Sequence, residues 1–131
     1  PIEKMQIKLI DFGISVNLNK TNSNAEPMGT LLYMAPESLE DNLVLASDIW
    51  SCGIALYMMA TRKVPYNYKN EEELMRKIQN GDIIRKSKAF FNLDMQSLTV
   101  DLKMFIAQLL EKNSKRRINA ATAIQSGWIK K

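Results

Sequence analysis

Residues 29–37 read GTLLYMAPE, and the interpretation of the whole chain starts from this stretch. Residues 17–24 lie before it and are rich in Asn, Ser and Thr. This composition predicts a surface loop that ends near Pro27. After Pro36 the sequence predicts helices only, so the stretch joins an open loop to a helical body.

Upstream of that loop, residues 6–10 alternate polar and apolar side chains, which predicts a short, half-buried strand. Asp11, Phe12 and Gly13 follow it directly. A carboxylate at the end of a strand is suited to hold Mg²⁺ on the phosphates of a nucleotide. Taken alone, this tripeptide is better interpreted as an ordinary Asp-x-Gly turn.

Downstream, residues 49–60 are apolar on nearly every side, which predicts a buried central helix that includes Cys52. Asn70 precedes three glutamates, the pattern of a capped helix start. Residues 102–110 carry a one-sided apolar stripe, and Asn119 is placed to cap a last short helix. We find no internal repeat and no sign of a second domain.

The composition excludes several classes of function. The chain has 131 residues, one cysteine and no histidine, which excludes an internal disulfide, a Ser-His-Asp triad and a His-ligated metal. Its 18 basic and 14 acidic residues are scattered, so a solvated surface is favoured over a nucleic-acid-binding helical domain. Residues 49–60 are too short to span a bilayer. We therefore expect neither a nucleic-acid partner nor a membrane span.

Four elements in order carry a family resemblance: Asp11-Phe12-Gly13, the motif of residues 29–37, residues 48–53 (DIWSCG), and Arg117. Together they resemble the activation segment and C-terminal lobe of eukaryotic serine/threonine protein kinases. Residues 14–28 and 50–57 are most similar to the calcium/calmodulin-dependent group, in particular to calcium-dependent protein kinases. The implied fold is mainly α: the C-terminal lobe of an α+β kinase fold, with a short strand before Asp11 and helices from Pro36 onward. Residues 1–131 would then be a partial kinase domain.

The resemblance also implies a nucleotide site and a substrate pocket, with ATP and Mg²⁺ as cofactors. Asp11 would coordinate Mg²⁺, Phe12 would pack to set the active or inactive state, and Gly13 would allow the backbone to turn. Thr30 would lie beside the catalytic base. The pocket for the residue after the phosphorylated one would be lined by Leu31 and Leu32.

Other implied roles are structural or regulatory. Glu37 and Arg117 would form a buried ion pair, and Asp48 would hold the backbone of the catalytic loop. A purely structural role is the alternative for all three of these residues and for Thr30. Thr21 and Ser23 are candidate phosphorylation sites, because phosphate there would order the loop by pairing with arginines.

Three parts of a kinase are missing from the sequence: the glycine-rich loop, the strand lysine, and the His-Arg-Asp loop that supplies the base and an Asn. We therefore expect this chain alone to be inactive. Because it begins with Pro1, we also expect it to be a piece of a longer protein. Any calcium-sensing segment would lie outside it.

The expected parent is a kinase that transfers the ATP γ-phosphoryl group to Ser or Thr of a protein substrate. Its partners would be that substrate, the N-terminal lobe and catalytic loop, and a calcium-sensing regulatory segment. A reduced Cys52 makes a cytoplasmic, intracellular setting the default expectation. The alternative is a non-catalytic, kinase-derived docking or regulatory module, whose acidic residues 71–73 would meet a basic partner.

Overall fold

The computed structural model describes residues 7–18, 29–80 and 97–130, and all regular structure within them is helical. Two short 3₁₀ helices come first, and four α helices follow. The 3₁₀ helices are Leu31–Tyr33 and Pro36–Glu40; the α helices are α1 Leu45–Thr61, α2 Glu71–Gln79, α3 Val100–Leu109 and α4 Ala120–Ala123. The predicted fold class, a mainly helical lobe with its helices from Pro36 onward, is confirmed, except that one 3₁₀ helix, Leu31–Tyr33, precedes Pro36.

The expected half-buried strand before Asp11 is not present in the described residues. Residues 7–10 have no regular structure, and the side chains of Ile7 and Leu9 are 95% and 86% exposed. A strand is stable only when its backbone pairs with a neighbouring strand and its apolar face packs. The described residues offer no such partner, so the alternating pattern leads here to extended, exposed chain.

Helix α1 begins at Leu45, before the apolar run of residues 49–60 from which it was predicted. Ser47 lies in the first turn, where its hydroxyl accepts the Val44 N–H at 3.4 Å. The helix ends at Arg62, which has a φ of 58° and donates its N–H to the Met58 carbonyl at 2.8 Å. A left-handed residue is the usual way to end a helix, although glycine is the residue best suited to it.

The later helices have side-chain caps at their first turns. The Asn70 side chain accepts the N–H of Glu73 at 2.9 Å, and the Glu73 carboxylate accepts the N–H of Lys69 at 2.9 Å. Thr99 caps α3 and Asn119 caps α4 in the same way. These bonds satisfy N–H groups that have no partner inside the helix, and they fix where each helix starts.

The main core combines side chains of α1, α2 and α3. Its fully buried side chains are Trp50 and Ile54 of α1, Ile78 of α2 and Ile106 of α3. A second cluster on the other side of α3 is closed by Trp128, whose ring stacks on that of Phe105 with 5.5 Å between the centroids. The two clusters fix α1 against α3 and so hold the N-terminal end of α1, where the motif residues lie.

Helix α1 is not buried on every side, and this corrects the expectation for Cys52. Leu45 and Met59 are 79% and 72% exposed, and Cys52, which lies between them two helical turns from each, is exposed as well. These three residues form an exposed apolar stripe on the central helix. Within the described part of the chain, no helix combines the length and the apolar content needed to cross a membrane.

Candidate functional site

Glu37 and Arg117 form a buried, two-pronged ion pair. Arg117 Nη1 lies 2.5 Å from Glu37 Oε1, and Nη2 lies 2.9 Å from Oε2. Ser47 Oγ donates to the same Oε1 at 3.0 Å. Burial by itself raises the pKa of Glu37, but the hydrogen bonds and charge of Arg117 outweigh it, so the pKa lies below its usual value. The carboxylate is thus held in its charged form.

The remaining donors of Arg117 join two other parts of the chain. Its N–H groups reach the carbonyls of Ala46 at 2.7 Å, Glu111 at 2.8 Å and Lys112 at 3.3 Å. With the two bonds to Glu37, all five guanidinium hydrogens have acceptors. The guanidinium carbon also lies 5.0 Å from the centroid of the Trp50 ring, within the range of a cation–π contact.

We call Glu37, Ser47, Trp50 and Arg117 the Arg117 cluster. It joins the second 3₁₀ helix to the start of α1 and to the loop after α3. The sequence analysis identified the ion pair but missed Ser47 and Trp50. A serine on an otherwise apolar helix was the available signal, since a buried hydroxyl needs a hydrogen-bond partner.

The motif of residues 29–37 lies against α1 and α2. Leu31 and Leu32 are half-buried and pack against the main core, with part of each side chain open to solvent. Ser51 Oγ donates to the carbonyl of Tyr33 at 2.9 Å, which attaches the first 3₁₀ helix to α1. The structure therefore places the predicted pocket residues on a fixed turn, and it reveals Ser51 as a residue that the sequence analysis missed.

A cavity of about 260 Å³ lies between this turn and α1. Thr30, Ser38, Asp48 and Ser51 are among the residues that line it. Thr30 and Asp48, which the resemblance assigned to the surroundings of the catalytic loop, are thus brought together at one opening. Apolar side chains also line the cavity, and its hydroxyls and one carboxylate are the side-chain groups there that can form hydrogen bonds.

Asp11, Phe12 and Gly13 form a separate turn. Asp11 has a φ of 63°, and the Gly13 N–H donates to its Oδ1 at 3.4 Å. The Ser15 N–H donates to the Phe12 carbonyl at 3.0 Å, and the Phe12 ring is 67% exposed. The expected packing of Phe12 is therefore absent within the described residues, which provide no enclosing surface around this ring.

The Asp11 carboxylate is exposed and of the type that Mg²⁺ prefers. In the described ranges, no group of three or more potential ligands among His, Cys, Asp and Glu is present. Asp11 thus belongs to no such group within the described residues. Thr21 and Ser23, the candidate phosphorylation sites, lie outside the described residues.

Most of the chain matches a known protein family. Residues 2–129 match the family model described as the protein kinase domain. Calcium-dependent protein kinase 4 of Plasmodium falciparum is 33% identical over 98% of this chain and 23% of its own length. Calcium-dependent protein kinase 21 of Arabidopsis thaliana is 30% identical over 98% of this chain and 23% of its own length. This chain thus spans less than a quarter of the length of these relatives.

A solved structure gives the same indication for the fold. The twitchin kinase region from C. elegans superimposes with a TM-score of 0.65 and 24% sequence identity. The match covers 75% of this chain and 17% of that one. It shows that the helices described above have the arrangement found in a kinase.

Proposed function

The chain belongs to the protein kinase domain family, and on that premise we propose that it is the C-terminal lobe of a serine/threonine protein kinase. The parent protein would transfer the γ-phosphoryl group of ATP to Ser or Thr of a protein substrate. Residues 1–131 would run from the Mg²⁺-binding aspartate to the end of the kinase domain. Alone, they would be inactive.

The observation that carries this proposal is the Arg117 cluster. A two-pronged pair between Glu37 and Arg117 spans most of the sequence and anchors the end of the motif of residues 29–37 to the helical body. A segment that must present a substrate pocket needs such an anchor, because phosphoryl transfer depends mainly on positioning. The geometry thus supports a role for residues 29–37 as a substrate-facing segment.

The proposed roles follow from position and chemistry. Bound Mg²⁺ would neutralise charge on the ATP phosphates, and Asp11 would be one of its ligands. Leu31 and Leu32 would take up the side chain that follows the phosphorylated residue. Thr30 and Asp48, at one cavity, would position the catalytic loop supplied by the parent.

The proposed regulation involves a segment of the parent outside this chain and two hydroxyls of the loop before Pro27. The similarity to calcium-dependent protein kinases suggests a calcium-sensing segment elsewhere in the parent and an intracellular setting. Thr21 and Ser23 remain candidate phosphorylation sites.

The exposed apolar stripe of α1 (Leu45, Cys52 and Met59) would be covered by other parts of the kinase domain. Apolar side chains that lie together on an exposed helix face usually contact a partner.

The alternative, a non-catalytic docking module, depended on the acidic residues 71–73 as a contact surface. Glu73 is engaged locally: it accepts the Lys69 N–H, and its carboxylate lies 3.0 Å from Lys77 Nζ. Local capping thus accounts for part of the acidic run.

The test is phosphoryl transfer by the natural protein that contains this chain, measured with Mg²⁺-ATP and Ser/Thr peptides. We expect Asp11→Ala to lower kcat/KM by about 100-fold or more, because a metal ligand contributes several kcal/mol to catalysis. Asp41→Ala is the matched control, since Asp41 is also exposed and has a φ of 56°. It should leave the rate unchanged.

Full activity of Asp11→Ala would show that the role given to Asp11 is wrong. A natural protein that lacks phosphoryl transfer altogether would instead favour the docking module. The 131-residue chain assayed alone should transfer no phosphate, and activity there would contradict the proposal that the catalytic base lies outside it.

A further inference from the structure

One side chain of α1 reaches the backbone of the turn that the proposed function assigns to substrate. Ser51 Oγ lies 2.9 Å from the carbonyl oxygen of Tyr33 and 3.3 Å from that of Ser47, one turn earlier in the helix. A serine hydroxyl has a single hydrogen to donate. The shorter distance assigns that hydrogen to Tyr33, across a long stretch of sequence.

The carbonyl of Tyr33 ends the first 3₁₀ helix, so fixing it fixes the whole turn. Inside the turn, the Tyr33 N–H donates to Thr30 at 3.0 Å, and the Met34 N–H donates to Leu31 at 3.1 Å. These two bonds keep the shape of the turn, but both are local and do not attach it to α1. The bond from Ser51 provides that attachment.

We propose that Ser51 is a positioning residue for substrate: by holding the Tyr33 carbonyl, it sets where Leu31 and Leu32 present their exposed surfaces. Ser51 would thereby tune the preference for an apolar residue after the phosphorylated one. The inference rests on the proposed function. Ser51 would act through the turn and would touch neither substrate nor nucleotide.

The test is steady-state kinetics of the natural protein with two Ser peptides that carry Leu or Gly after the acceptor. We expect Ser51→Ala to raise KM for the Leu peptide about three- to tenfold, the equivalent of one hydrogen bond. The kcat and the KM for ATP should stay unchanged, and the preference for Leu over Gly should shrink. Ser51→Thr should restore KM, because it keeps the hydroxyl and its methyl group has the adjoining cavity to occupy.

Thr61→Ala is the matched control. Thr61 Oγ1 also donates to a carbonyl of α1, that of Tyr57 at 2.8 Å, but this bond stays within the helix. A purely structural loss would lower the fraction of active protein, and so Vmax, without changing KM. Thr61→Ala should therefore leave both KM and the peptide preference unchanged.

Two results would overturn the inference while leaving the proposed function intact: an active protein whose KM for the Leu peptide is unchanged by Ser51→Ala, or a Thr61→Ala variant with the same rise in KM. A natural protein without phosphoryl transfer would overturn both proposals together.

Discussion

Two motif regions of this chain differ in how they are held. The Arg117 cluster is buried and every guanidinium hydrogen is bonded, whereas the turn at residues 11–13 is exposed and its hydrogen bonds, among those found in the described residues, reach no further than Ser15. The contrast shows that the chain builds its own anchor for residues 29–37, whereas the described residues provide no packing partner for the turn at residues 11–13.

The largest predicted effect comes from breaking the ion pair. Arg117→Ala leaves Glu37 buried and charged without its partner, which should cost about 3–5 kcal/mol in the free energy of unfolding. Urea unfolding followed by tryptophan fluorescence would measure this loss. Trp50 is a direct reporter, because its ring contacts the guanidinium.

The double variant Glu37→Gln with Arg117→Met serves as the control for this loss. Removing both charges avoids an unpaired buried carboxylate, so the double variant should be more stable than Arg117→Ala. If Arg117→Ala unfolded at the same urea concentration as the unsubstituted chain, the Arg117 cluster would not be the anchor described here.

A smaller effect is predicted where α1 crosses α3. A Cβ added at Gly53 would lie 2.7 Å from Leu110 Cδ2 and 2.9 Å from the Cβ of Leu109. Overpacking of this kind outweighs the better helix propensity of alanine, so Gly53→Ala should cost about 1–2 kcal/mol.

The same urea experiment would measure the effect of Gly53→Ala, with Gly127→Ala as its control. A Cβ at Gly127 meets no atom within 4 Å, so that variant should unfold as the unsubstituted chain does. An increase in stability for Gly53→Ala would show that the two helices lie further apart than described, and that the anchor rests on a looser core.

The sequence predicted the helices well, because their signals are local. The Asn70 cap and the apolar stripe of α3 follow from nearby residues alone, and the pairing of Glu37 with Arg117 came from the family resemblance. Residues 7–10, the described part of the predicted strand, have no regular structure, since a strand depends on a partner that its own pattern cannot supply. The expected burial of Cys52 was also wrong, because the apolar pattern of a helix does not specify which of its faces other elements cover.

The roles of Ser47 and Ser51 could not be predicted from the sequence. Each depends on a contact with a residue distant in sequence, Glu37 for Ser47 and Tyr33 for Ser51, and no periodicity encodes such a pairing. A serine in an apolar helix indicates that some partner exists. Only the packing of the turn against α1 determines which carbonyl or carboxylate it is.

The smallest predicted effect tests whether the turn at residues 11–13 packs against the rest of the chain. Phe12 is 67% exposed, so Phe12→Ala should change the free energy of unfolding of this chain by no more than about 0.5 kcal/mol. In the natural protein the proposed function gives this ring a packing partner, and there the same substitution should lower both stability and phosphoryl transfer. A loss of several kcal/mol in the isolated chain would mean that residues 11–13 already pack against the lobe. Equal, negligible effects in both proteins would instead show that the turn remains exposed in the parent, and that Phe12 does not set its active state.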